Sequence, residues 1–344
     1  MRAFTCENCG QLLFFENSRC LRCSHRLGFV PSRLDIVVLD DPGASVLRPC
    51  ANLELAQCNW VLEEGDPGPL CRSCRLTRTR PADDDPDGLA AFAKAEGAKR
   101  RLIFQLLDLG LPIGEDLAFD LLSSRTGPVV TGHDDGVITI DLAESDDARR
   151  ERRRAELGEP YRTMLGHFRH EIGHYYWPIL VEGTEELERA RALFGDDRID
   201  YQGALQHHYE HGPAPDWSER YVSSYATMHP WEDWAETFAH YLHIRDTLET
   251  AAAFGLVIAG PDVAQDDSLS SVPVPEVADR PFEAIIADWL PLTYALNAIN
   301  RSMGHEDLYP FTLAPTVIEK LAFVHDRVRV AERHRGVPVA PPTP

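Results

Sequence analysis

Apolar residues recur at helical spacing through LAAFAKAEGAKRRLIFQLLDL, residues 89–109, and predict a helix there. Two short runs, PVVT and VITIDL, follow. They are joined by GHDDG, whose Asp-Gly pair predicts a hairpin with His133 in its exposed turn. The charged DDARRERRRAEL, 146–157, predicts another helix, and Pro160 marks the start of the helix that carries MLGHFRHEIGHYYW, 164–177. Residues 184–247 read as helical segments interrupted near FGDDRIDY and HGPAPDW. The Pro-, Asp- and Ser-rich 259–281 reads as a mobile loop, 282–334 as helical again, and 335–344 as a disordered tail.

The first 80 residues have a different pattern. QLLFF predicts a short strand between two cysteine pairs, and RPADDDPDG, 80–88, with its prolines and acids, marks a boundary. The expected fold is α+β. A small β module with two four-cysteine sites occupies 1–80, a mainly helical domain with a small sheet 88–334, and the tail 335–344.

The net charge of the 344 residues is −21. Residues 1–80 hold ten Arg and no Lys against nine acids, a balance of +1, which leaves −22 on residues 81–344. So acidic a body repels nucleic-acid backbones. Arg72, Arg75, Arg78 and Arg80 form the dense basic cluster of the N-terminal module and are expected to dock on the acidic body, while Lys99–Arg101 is expected to be a solvated or salt-bridged face. The chain lacks the ~18–20-residue apolar run of a membrane helix, and its polar, cysteine-bearing start resembles no export signal, so a cytoplasmic location is expected.

All eight cysteines lie between positions 6 and 74. Cys6/Cys9 and Cys20/Cys23 are two C-x2-C pairs separated by ten residues, each a tight turn presenting two thiolates, and together they close a tetrahedral zinc site. His25 follows this complete set and is expected at the surface. Cys50, Cys58, Cys71 and Cys74 offer a second structural zinc site with one half spread to C-x7-C. In the alternative, Cys50 and Cys58 are buried small apolar residues.

His170 and His174 sit four apart, on one face of a helix, with Glu171 directly after the first: the HExxH pattern of two imidazole ligands and an acid beside an open metal position. A catalytic zinc needs a third protein ligand. HEIGHYYWPILVEG contains no further suitable histidine, so the ligand must come from elsewhere. SSYATMHPWEDWAETFAHYLHI, 223–244, is the best source. Glu232 and Glu236 lie one turn apart among aromatics, with His240 on the same face, and burying two carboxylates there calls for a cation. His229 is the alternative ligand. His167 reads as a polar neighbour, and His207, His208 and His211 as a solvated helix end.

HExxH with a glutamate on a later helix is the gluzincin arrangement, and Tyr225 seven before Glu232 with Glu236 four after it resembles lethal-factor-type proteases. The whole chain resembles a bacterial family of zinc-binding metallopeptidases with an N-terminal zinc ribbon, through its cysteine sets, LCRSCRLTRT, GHFRHEIGHYYW, HPWEDWAETFAHYLH and LYPFTLAPTVIEKL. The resemblance implies one catalytic zinc on His170, His174 and Glu232, with Glu171 as general base, Tyr225 beside the reaction centre, and Glu236 or Asp233 supporting a ligand histidine. The expected partners are a peptide or protein substrate and a protein partner at the ribbon, while the acidic charge argues against nucleic acid and the missing apolar run against a membrane. An amidase or isopeptidase, and a non-catalytic zinc-stabilised binding protein, are the competing functions. Elemental analysis of the purified chain should return three zinc ions per molecule, one for each ligand set; one or two would remove a set.

Overall fold

The computed structural model describes residues 2–40, 46–125, 127–146, 163–260, 270–273 and 280–333. The predicted charged helix and Pro160, most of the 259–281 loop and the 335–344 tail lie outside these residues. The chain forms two compact units, Met1–Phe168 and Arg169–Pro344. The fold is α+β.

In the first unit, short antiparallel pairs carry the cysteines: β1 (Phe4–Thr5) with β2 (Leu12–Leu13), β3 (Leu27–Val30) with β4 (Asp35–Val38), and β5 (Arg48–Pro49) with β6 (Val61–Leu62). Directly after Cys74, β7 (Thr77–Thr79) joins a four-stranded sheet with β8 (Ala118–Leu122), β9 (Gly132–Asp134) and β10 (Val137–Asp141), in the order β7-β8-β10-β9. β8 is parallel to both β7 and β10, and β9 runs antiparallel to β10. The predicted hairpin is present, but its first strand falls on GHD rather than on PVVT, where Val130 is 86% exposed. The cause is the turn. Asp135 (φ +44°) and Gly136 (φ +81°) both take the left-handed region of a two-residue type I′ loop, which fixes the pairing of Asp134 with Val137. A Cβ on Gly136 would lie 2.7 Å from the Asp116 carbonyl oxygen.

Helix α1 (Pro86–Asp108) begins inside the acidic boundary segment, where the Asp85 carboxylate accepts from the Gly88 N–H and Pro86 takes the first helical position. Its Phe104 joins Phe15, Phe29 and Trp60 in one aromatic core, with centroids 4.7–5.7 Å apart along Phe15–Phe104, Phe29–Phe104 and Phe29–Trp60. Of the two expectations for the Lys99–Arg101 cluster, the salt-bridged one holds and the solvated one does not. Lys99 is fully buried, paired with Glu96 at 2.6 Å and hydrogen-bonded to Thr77, while Arg100 donates to the carbonyls of Ala56 and Gln57. Arg101 alone of the three is a partly exposed ion pair, with Glu16. Of the N-terminal arginines, Arg75 pairs with Asp66, Arg78 with Asp120 on β8, and Arg80 with Asp83.

The second unit is helical: α2 (Met164–Trp177), α3 (Leu187–Phe194), α4 (Tyr201–His211), α5 (Pro230–Ala253), α6 (Phe282–Ser302) and α7 (Pro315–Arg333), with a small pair β11 (Ile258–Ala259) and β12 (Ser270–Ser271). Thr163 caps α2, its hydroxyl accepting from the Gly166 N–H at 2.9 Å. The core is again aromatic: Trp234 packs on Trp177, Phe194, Phe238 and Phe323, and Tyr176 stacks on Phe238. Among the described residues no helix is long and apolar enough to cross a membrane.

Removing Lys99 takes the 2.6 Å partner from the buried Glu96 carboxylate and leaves it Arg100 at 3.9 Å, so Lys99→Ala should cost about 3 kcal/mol of stability, the low end for a broken buried pair. Loss of the exposed Arg101 pair in Arg101→Ala should cost no more than about 1 kcal/mol. Urea unfolding of both variants measures the contrast.

Candidate metal centre

The N-terminus of α5 is built by His229. Its Nδ1 accepts from the Trp231 N–H at 3.0 Å, its Nε2 faces the Ile199 carbonyl at 3.2 Å, and burial lowers its pKa. Both ring nitrogens of this alternative third ligand are therefore engaged in fixing where α5 starts. Glu232 then falls in the first turn, at the positive end of the helix, where a carboxylate is favoured.

Helices α2 and α5 approach closely at Gly173. A Cβ there would stand 2.9 Å from Ala235 Cα and 3.1 Å from its carbonyl oxygen, so only glycine permits the packing. The Trp234 Nε1–H donates to the Gly173 carbonyl at 2.8 Å and fixes the register of the two helices.

In that register the predicted ligands converge. His170 Nε2 lies 3.0 Å from Glu232 Oε2, His174 Nε2 lies 3.4 Å from Glu232 Oε1, and the two Nε2 atoms are 3.2 Å apart. Glu232 is 2% exposed, and its Oε2 is buried without a hydrogen-bond partner. Two imidazole nitrogens and an unpartnered carboxylate oxygen aimed at one point are a donor set that fits zinc. Burial works against charge at these groups. Nevertheless Glu232 and Glu236 raise the His170 pKa well above its ordinary value, and the two histidines hold Glu232 well below its own.

Behind the ligands, His170 Nδ1 meets Glu236 Oε1 at 2.7 Å, and Glu236 Oε2 accepts from the Ser223 hydroxyl at 2.6 Å. Burial opposes ionisation of Glu236, yet the hydrogen bond to His170 brings its pKa down to about 2. Asp233, the other candidate for this supporting role, turns away and pairs with Lys320 at 2.6 Å. Glu171 is 5% exposed on α2, and its charge acts on both Tyr225 and Tyr201. The Tyr225 ring lies 5.9 Å from that of His170, and burial, reinforced by Glu232, raises its pKa and keeps the phenol protonated.

The remaining histidines have other partners. His167 meets Glu144 at 2.7 Å, and buried His240 meets the Tyr309 hydroxyl at 2.7 Å. His207 and His211 stack on each other in solvent, whereas His208 approaches Thr227 Oγ1 at 3.4 Å. Tyr201 and Ser223 are site residues that the motif reading misses. The Tyr201 hydroxyl donates to Glu232 Oε1 at 2.9 Å from a helix that starts 31 positions earlier in sequence, and only the tertiary fold brings them together.

Both four-cysteine sets are gathered, each with its sulfurs within 4.8 Å of one another and none in a disulfide. The contacts of 3.6 Å for Cys6–Cys23, Cys9–Cys20 and Cys58–Cys71 approach the edge of roughly 3.8 Å that a tetrahedron of ~2.3 Å Zn–S bonds requires. Cys50 and Cys58 are buried, but as members of the second set. Their wide spacing closes because the Cys58 N–H bonds back to the Asn52 carbonyl and Arg100 holds the loop at Ala56 and Gln57.

Two four-cysteine sets, followed by a buried set of two histidines and a glutamate, give the chain the ligand pattern of a zinc-binding protein. The chain belongs to the family described as "Putative zinc-binding metallo-peptidase", which matches residues 88–327, and residues 3–85 match a zinc-ribbon domain. It is 54% identical over 333 residues to uncharacterized proteins of Mycobacterium tuberculosis (strain ATCC 25618 / H37Rv) and Mycobacterium bovis (strain ATCC BAA-935 / AF2122/97), covering 94% of each chain. No solved structure matches it.

Gly173→Ala should destabilise the chain by about 1–3 kcal/mol through overpacking at the helix crossing. It should also weaken zinc at His170, His174 and Glu232 while sparing both cysteine sites. Chemical unfolding and a chelator titration of bound zinc measure the two effects.

Proposed function

We propose that the protein is a zinc-dependent peptidase of the gluzincin type, acting in the cytoplasm. The observation that carries the reading is the convergence of His170 Nε2, His174 Nε2 and the unpartnered Glu232 Oε2 in a buried site beside Glu171. Zinc held by these three residues would supply a Lewis acid and lower the pKa of a bound water to about 7. Glu171, next to His170, takes the proton of the attacking water and passes it to the leaving amine. Tyr225, kept protonated by burial, donates to the oxyanion that develops on the scissile carbonyl. Glu236 and Ser223 lock the His170 ring so that its Nε2 faces the ligand point.

The four-thiolate sites leave no open position for chemistry, so their zinc is structural and the ribbon serves as a recognition or docking module for a peptide or protein. Eight unpaired cysteines support a reducing compartment.

The test compares wild type with Glu171→Gln on a peptide library and, by mapping new termini, on cell lysate. The variant should keep its zinc and lose roughly 10²–10⁴-fold in kcat. A wild type that generates no new termini, or a variant that generates the same ones, would sink the peptidase reading.

A further inference from the structure

Helix α4 has no fully buried residue, yet both of its ends reach the candidate metal centre. At the C-terminal end His208 approaches Thr227, and its ring stands perpendicular to that of Tyr225 with centroids 6.2 Å apart. The N-terminal end bears Tyr201, directly after the helix cap formed by Asp200 on the Gly203 N–H. The Tyr201 ring is bracketed by His229 at 5.2 Å and Trp231 at 6.2 Å, two residues that open α5.

The bracket fixes where the phenol points. Its hydroxyl donates to Glu232 Oε1 at 2.9 Å. Apart from the two ligand histidines, Tyr201 is the polar partner found for the Glu232 carboxylate among the described residues. A carboxylate has two equivalent oxygens and a rotatable terminal torsion, so it can ligate through either oxygen or both. A donor anchored on Oε1 removes that freedom and leaves Oε2, the atom nearest His170 Nε2, as the ligating oxygen.

We propose that Tyr201 is a positioning residue: it fixes which oxygen of Glu232 faces the metal. This rests on the metal reading of the site and not on peptidase activity.

The test uses the full-length, zinc-loaded chain and Tyr201→Phe, which keeps the bracketed ring and deletes the hydroxyl. In competition with a chelator, the variant should release the zinc of His170, His174 and Glu232 at roughly 10–100-fold lower chelator strength than wild type. The two four-cysteine zinc ions, the internal reference, should stay in place. With cobalt loaded into the vacated site, the visible d–d bands should differ between variant and wild type, because the carboxylate ligand has reoriented. Retention of the third zinc within about twofold of wild type overturns the inference. So does weakened retention with an unchanged cobalt spectrum, which would assign Tyr201 to general packing. A wild type that holds three zinc ions but cleaves no peptide removes the peptidase reading and leaves this one standing, while a wild type that holds only two removes both.

Discussion

The crossing of α2 and α5 at Gly173 is the constraint on which the candidate site depends. Each helix carries two polar side chains one turn apart, His170 and His174 on α2 and Glu232 and Glu236 on α5. Imidazoles and carboxylates are short. They meet at 2.7–3.4 Å only because the backbones touch where Gly173 faces Ala235. The indole hydrogen bond from Trp234 sets the rotation and the register, so His170 reaches both glutamates at once. Surrounding rings, from Tyr176 to Phe323, exclude water from this crossing and make unpartnered charge there costly.

The rest of the molecule shows how such cost is usually met. Lys99 with Glu96, Arg169 with Asp246, Arg245 with Glu249 and Lys320 with Asp233 are buried or partly buried charges, each carboxylate held by a cationic side chain. Among the described residues Glu232 has no such cation and is met instead by two imidazoles and a phenol. That contrast, within one chain, supports a metal ion at this point more strongly than the motif does by itself.

Much of this was legible in the sequence, for local reasons. The HExxH spacing, the i, i+4 glutamates and the C-x2-C turns depend only on helix pitch and turn geometry, and the Asp-Gly pair announces its own hairpin. What was not legible depends on tertiary contact. Lys99 and Arg100 read as a solvated or salt-bridged face, and only the fold shows them buried by Thr77, Glu96 and the carbonyls of the 50–58 loop. β8, central in its sheet, has no alternation because both of its faces are covered. Tyr201 and Ser223 have no fixed spacing to Glu232 and Glu236, the carboxylates they bond, and His229 looks like a ligand until it is seen to cap a helix.

The position of β7 has a consequence for how the chain can be divided. The two family matches meet near residues 85–88, which suggests modules that could be cut apart or exchanged. β7 ends at Thr79, inside the ribbon match, yet its partner β8 lies inside the peptidase match. A peptidase fragment begun at the boundary would expose β8 as a bare parallel edge, with its row of unpaired backbone groups open to another chain. The ribbon segment therefore supplies the border strand of its neighbour's sheet, and the folding of its cysteine sets and the solubility of the domain that follows are bound together.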